Sequence, residues 1–267
     1  MSVTGVVFDW DGTILDHGSL ATVAAFQDTF AAAGIALDPA DIRLSMGLAK
    51  RDQIHEILAL PHIAEAWQTL RGSAASDEDA QELYFDYLPK QTDLLGGFPR
   101  LITGIPEMAE GLRSRSVMIG STTGYTREMA DFLVDYARQQ GFELDCVVCP
   151  EHVPGGGRPL PWMCYLNAIR LEISPLWTMV KIGDTPTDIE EGLNAGMWTV
   201  GVTRTGNEVG LSEEDWEEVS EEDRAAAIEA AEARLTEVGA HYLVESAADC
   251  LDIIDDISTR IAAGERP

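Results

Sequence analysis

The chain has 267 residues, 45% hydrophobic and 24% charged, proportions that exclude wholesale disorder and allow one large core or a core with a smaller domain. Forty-six acidic residues against 18 basic ones leave a net charge of −28, which repels nucleic acid and anionic membranes. A free anionic substrate is repelled too, so any phosphate site must create its own local positive field. There are few lysines, namely Lys50, Lys90 and Lys181; scarce lysine beside abundant acid fits either a salty habitat or an acidic, Arg-preferring proteome. No apolar run reaches the roughly 18 residues of a membrane span. The N-terminus opens directly on a strand-like run with no basic region before an apolar one, so residence in the cytoplasm is expected.

In chain order, Gly5 to Phe8 is a short apolar run ending at Asp9, the pattern of a buried parallel strand, and Asp11, Gly12 and Thr13 break it as a loop. From about Leu20 to Tyr87 the pattern is helical: Thr22 to Ala33, then Asp41 to Leu60 ended by Pro61, then Glu78 to Leu88, with Gly96, Gly97, Phe98 and Pro99 closing the block. Strands and helices then alternate. Helices are expected at Ile105–Arg113, Thr126–Gln140 (stopped by Gly141) and Trp162–Leu171, and strands at Ser116–Gly120, Cys146–Val148, Met179–Gly183 and Trp198–Val202. Glu213 to Leu235 reads as a charged, solvated helical region. The alternation implies an α/β fold with a parallel sheet, and the helical block a cap inserted after the first strand. The expected division is a Rossmann-like core from 1–18 and 99–267 with a helical cap domain at 19–98. The four cysteines, Cys146, Cys149, Cys164 and Cys250, include one C-x-x-C with no second pair or histidines at zinc spacing, so they read as structural thiols in a reducing compartment.

Ligands of open α/β sheets bind beyond the carboxyl ends of the strands. Four polar clusters are placed there: Asp9-Trp10-Asp11-Gly12-Thr13, Ser121-Thr122-Thr123, Gly157-Arg158-Pro159, and Gly183-Asp184-Thr185 with Asp188. A short acidic loop alone is only moderately specific. Directly after an N-terminal strand, and followed in order by a hydroxyl cluster, a cation and G-D-x-x-x-D, it resembles the haloacid dehalogenase superfamily. Longer strings resemble the phosphonoacetaldehyde hydrolases within it: Met46-Gly47-Leu48-Ala49-Lys50-Arg51-Asp52, Gly120 through Met129, Pro161-Trp162-Met163-Cys164, Asn194 through Gly201 and Gly239-Ala240-His241. The likeness covers nearly the whole chain.

The resemblance implies a haloacid dehalogenase-type core with an inserted cap, and roles for particular residues. Asp9 is the expected nucleophile, forming an aspartyl phosphate. Mg²⁺ would lie between Asp9, Asp184 and the backbone carbonyl of Asp11, with Asp188 orienting a metal-bound water. Thr123 and the neighbouring Gly124 and Tyr125 would receive phosphoryl oxygens, and Arg158 would neutralise charge where the superfamily more often has lysine. Lys50 would form a Schiff base with the substrate aldehyde, turning a poor carbanion leaving group into an enamine. That role needs a lowered amine pKa. Met46, one helical turn before Lys50 on the same face, and Gly47 would lie beside the adduct. Three positions depart from the family: Asp11 stands where alanine is usual, Gln53 where histidine is, and Ser19 where some members have cysteine. Asp11 fits a phosphomonoesterase or phosphomutase, in which that acid protonates an alkoxide; alternatively it takes over the proton transfer that Gln53 cannot perform. A catalytically silent phosphometabolite-binding protein is the third reading. His55 lies off the Gln53 face, His17 follows the motif loop, and Trp67 fits either the cap's own core or a homodimer contact through the cap helices, the assembly the resemblance implies.

Overall fold

The computed structural model describes residues 1–97 and 100–267. Of the expected closing segment at 96–99, Gly96 and Gly97 instead end the helix that begins at Asp77, which runs past its expected end at Leu88, while Phe98 and Pro99, and with them the cap's second boundary, lie outside the described residues. The first strand, β1 (Gly5–Phe8), is wholly buried. The chain then leaves the sheet through five helices: α1 (Leu20–Ala32), α2 (Pro39–Arg43), α3 (Lys50–Ala59), α4 (Pro61–Arg71) and α5 (Asp77–Gly97). These bury their own core, in which Phe26, Phe30, Ile42, Ile54, Ile57, Trp67 and Tyr87 meet. The rings of Phe26 and Tyr87 lie 4.4 Å apart. Trp67 is 2% exposed in this core, so packing within the cap accounts for it.

The alternating half follows as α6 (Ile105–Ser114), β2 (Met118–Thr122), α7 (Arg127–Gln139), β3 (Cys146–Val148), α8 (Trp162–Arg170), β4 (Met179–Gly183), α9 (Pro186–Ala195), β5 (Trp198–Val202), α10 (Glu213–Glu218), α11 (Glu221–Glu237), β6 (Tyr242–Val244) and α12 (Leu251–Ala262). The strands form one parallel sheet in the order β3-β2-β1-β4-β5-β6. Val6 and Phe8 face a core shared with α6, α7 and α12, and Val7 faces a second one with α8, the two-sided burial expected of a parallel sheet. The fold is the α/β, Rossmann-like type with a helical insertion. The two chain crossings lie side by side: Ile102 N–H donates to Ile14 O at 2.8 Å, beside an antiparallel bridge between Leu15 and Leu101.

Three expectations are corrected. The Asp41–Leu60 helix is two helices, because Gly47 at φ +89° turns the chain between α2 and α3. Met46 therefore lies in that turn and not on the helix that Lys50 begins. Pro61 opens α4 at its first turn, where its missing N–H costs nothing. The second strand runs two residues later than expected, at Met118–Thr122, so Ser121 and Thr122 belong to the sheet and Thr123 begins the loop. The charged region divides at Val219–Ser220 into α10 and α11.

Candidate active site

The central position of β1 fixes where the residue that follows it points. Asp9 N–H still donates to Ile182 O of β4 at 2.9 Å, so the carboxylate emerges at the carboxyl edge between β1 and β4. The chain then folds tightly, Gly12 N–H donating to Leu15 O at 2.8 Å. Gly12 has φ +69°, and a Cβ there would sit 2.2 Å from Asp184 Oδ2. Glycine is what lets the two acidic loops approach. Asp184 follows β4 directly. Asp188 is placed by the N-terminus of α9, where Thr185 Oγ1 donates to Asp188 Oδ2 at 2.5 Å and the Asp188 amide donates back to that hydroxyl.

Charge in this cluster is dense and buried. Arg158 is wholly enclosed and donates to Asp9 Oδ1 at 2.6 Å and to Thr122 O at 2.7 Å, and it pairs with Asp188 and with Glu191, each at 3.1 Å. Lys181, in the middle of β4, pairs with the same two acids at 2.8 and 3.3 Å and donates to Thr122 Oγ1. Burial opposes both cations, yet the surrounding carboxylates raise their pKa values above the ordinary range. Asp188, although buried, is held below the usual carboxylate range by Arg158 and Lys181. Among the described residues no ion pair joins Asp184 to a cation: burial first, then Asp9 and Asp188, push it well above that range. Burial also raises Asp9, against the pull of Arg158. Oxygens of Asp9, Asp184 and Asp188 lie within 4.8 Å of one another. An all-oxygen, electrostatically frustrated set of this kind fits a hard divalent cation, which would relieve the repulsion that Asp184 bears.

The cap supplies the opposite wall. Lys50 is 5% exposed at the start of α3. No hydrogen bond or ion pair holds its Nζ among the described residues, and the face of Tyr125 lies 5.0 Å away. Burial lowers its pKa from that of an ordinary lysine, although Asp11 and Asp9 oppose the shift. Asp11 Oδ2 accepts from Thr22 Oγ1 of α1 at 2.7 Å and from the Tyr125 hydroxyl, while its Oδ1 is buried with no partner among the described residues. The turn carrying Met46 and Gly47 docks on the core: Thr187 Oγ1 donates to Met46 O at 3.2 Å and Arg158 to Gly47 O at 3.3 Å.

These groups enclose one cavity of about 20 Å³, lined by Asp9, Asp11, Ser19, Met46, Gly47, Lys50, Thr123, Gly124, Tyr125, Arg158 and Asp184. Every site residue expected from the sequence lies on it except Asp188, which stands behind Arg158. Gln53 does not reach it: its amide donates to Ile42 O and to Met46 Sδ, bracing the α2–α3 turn. His17 faces a different cavity, near the hinge, and its Nδ1–H donates to Leu211 O at 2.8 Å. Sequence reasoning missed Lys181, Glu191 and Thr22. A lysine inside the apolar run Met-Val-Lys-Ile-Gly was a usable signal, since a charge in a doubly covered strand needs a partner. Glu191, three residues after Asp188 on α9, supplies it.

The comparisons point to one family. Residues 6–202 match the family model of haloacid dehalogenase-like hydrolases. A phosphonoacetaldehyde hydrolase of Nitratidesulfovibrio vulgaris is 43% identical over 99% of this chain and 94% of its own length. One from Paraburkholderia phytofirmans is 39% identical over 99% of both. The crystal structure of a phosphonoacetaldehyde hydrolase-like protein from Oleispira antarctica superposes with a TM-score of 0.97 at 38% identity, covering 100% of this chain and 96% of that one. With four motifs converging on one buried cavity and full-length relatives near 40% identity, the chain belongs to the haloacid dehalogenase-like hydrolases and, among them, to the phosphonoacetaldehyde hydrolase family.

Proposed function

We propose that the chain hydrolyses the C–P bond of phosphonoacetaldehyde, giving acetaldehyde and phosphate. The observation that carries this is the Lys50 amine, buried with no ion pair among the described residues on the same cavity as Asp9, Thr123 and Arg158. An amine hidden at such a cost and pushed toward its neutral form is suited to attack an aldehyde.

Lys50 adds to the carbonyl carbon, and loss of water leaves a protonated imine. Arg158 binds Asp9 Oδ1, leaving the second oxygen to attack phosphorus. As the O–P bond forms, the C–P bond breaks and its electron pair moves toward the iminium nitrogen, giving an enamine. Protonation at carbon and addition of water release acetaldehyde and restore Lys50; a second water hydrolyses the aspartyl phosphate. Mg²⁺, held by Asp9, Asp184 and the Asp11 carbonyl, would reduce the repulsion between carboxylate and phosphonate. Thr123 and the amides of Gly124 and Tyr125 orient the phosphoryl oxygens, and Asp188 sets the pose of Arg158 through their 3.1 Å ion pair.

The bare Asp11 Oδ1 favours a second reading, a phosphomonoesterase or phosphomutase in which Asp11 protonates an alkoxide. One experiment separates them. Borohydride added with phosphonoacetaldehyde should trap an adduct that peptide mapping places on Lys50, and Lys50→Arg should lose phosphate release. No adduct, together with brisk Lys50-independent turnover of phosphomonoesters, would select the second reading. If Asp11 moves protons for the imine chemistry, Asp11→Ala abolishes C–P cleavage; full activity in that variant would exclude the role.

A further inference from the structure

A cavity of about 20 Å³ holds roughly one water, so a substrate enters only when the cap swings away from the core. A dense polar tie across that division is made by Arg43, the last residue of α2. Its Nη1 donates to Gly18 O at 2.8 Å, Asn207 O at 3.1 Å and Asn207 Oδ1 at 3.0 Å, and its Nη2 donates to Gly210 O at 3.0 Å. Asn207 Nδ2 donates back to Arg43 O at 3.3 Å. Every acceptor is a neutral oxygen, and three of the four belong to the loop after β5. A planar fork spread over one loop fixes that loop's shape, which a single point charge could not do.

The gripped loop leads to the chemistry. The Asn207 backbone N–H donates to Asp184 Oδ2 at 2.7 Å. Thr205 Oγ1 donates to Gly12 O at 2.7 Å, and Gly18 N–H donates to Thr205 O at 2.8 Å. Gly206 lies so close that a Cβ would be 2.6 Å from the Asp184 Cβ. One loop therefore touches the cap, the hinge, the nucleophile turn and the most repelled carboxylate of the cation site.

We propose that Arg43 is a positioning residue: by gripping the 205–210 loop in the closed state it fixes the Asn207 amide on Asp184, and so couples closure of the cap to divalent-cation binding. This rests on the metal reading given above. The coupling is reciprocal, so the cation must in turn favour closure.

The test uses the full-length, substrate-free enzyme. Calorimetric titration with Mg²⁺ compares wild type with Arg43→Met, Arg43→Lys and Gly210→Ala, whose new Cβ would lie 2.5 Å from Arg43 Cζ. The Mg²⁺ Kd should rise about tenfold in each, the lower end of what lost outer contacts cost a metal site. Hydrogen exchange at residues 44–48 should slow on adding Mg²⁺ in wild type and not in the variants. A merely structural Arg43 would lower the melting temperature and leave both readouts alone. Kd values within twofold of wild type in folded variants would overturn the latch; if Arg43→Met fails to fold, Arg43→Lys and Gly210→Ala decide the matter. A wild-type enzyme that binds no Mg²⁺ would overturn the metal reading itself, and the latch with it.

Discussion

Two carboxylates near the hinge lie in different surroundings only a few positions apart. Asp11 is hydrogen-bonded by two hydroxyls. Asp16, whose Oδ2 caps α1 by accepting from Ala21 N–H at 2.9 Å, is pushed up to about 7 by burial and then by Asp11. Between the ordinary value of 3.8 and about 7, folded Asp16 therefore keeps a proton that the unfolded chain has released. Stability must fall as pH rises through that window. Asp16→Asn keeps the cap, tolerates the left-handed backbone at φ 52° and does not titrate. The melting temperature of wild type should drop between pH 5 and 8, and that of Asp16→Asn should drop less; parallel curves would exclude Asp16 as the cause. Asp9, Thr123 and Asp184 were legible in the sequence because each follows the end of a strand, whereas Lys50 and Arg158 were read from the family resemblance. Lys181, Glu191 and Thr22 were not legible, because their meaning is a partner brought in from another strand or helix.

Among elements, α1, α6, α7, α8 and the wholly buried strands were readable from periodicity, whereas α4 and α9 were not assigned and α5 was ended nine residues early, at Leu88. β6 was not readable, since its three half-buried residues are too few to show alternation. α12 carries Ile254, Ile257 and Ile261 at helical spacing, a signal that was present and unused. The break between α2 and α3 has its cause outside the helices. A Cβ on Gly47 would sit 2.3 Å from Thr187 Oγ1 and 2.6 Å from Thr185 Oγ1, so the turn is shaped by the core surface on which it lands. Gly47→Ala should therefore disturb docking more than folding, because cap and sheet bury separate cores. We expect kcat/KM to fall at least about tenfold, a transition-state loss near 1.4 kcal/mol. The melting temperature should change by only a few degrees. Unchanged kinetics would show that the turn tolerates the displacement.

At the scale of the whole molecule, a net charge of −28 would face the proposed anionic substrate, while the cations Arg158 and Lys181 are buried. Long-range repulsion then opposes encounter, and salt screens it, the Debye length shrinking from about 30 Å at 10 mM to about 8 Å at 150 mM. At fixed Mg²⁺, kcat/KM for phosphonoacetaldehyde should rise over that range of sodium chloride, whereas an electrostatically attractive entrance would make it fall. The parallel-sheet core and inserted cap follow from the order of elements, which composition and pattern carry. The closed docking of cap on core does not, because it is written in a few hydrogen bonds between loops far apart in the chain.

The surroundings of the three lysines sort them by reactivity. Lys181 is clamped between two carboxylates and keeps its proton. Lys90 rests on the cap surface, donating to Asp28 O at 3.3 Å. Lys50 alone combines a depressed pKa with a cavity wall. Small carbonyl reagents applied near neutral pH thus meet a chain in which almost every surface cation is a guanidinium, inert to them. A short aldehyde carrying a reporter group, fixed by mild reduction, would tag one internal amine besides the exposed α-amine of Met1, and a phosphate-bearing competitor would protect only the internal one.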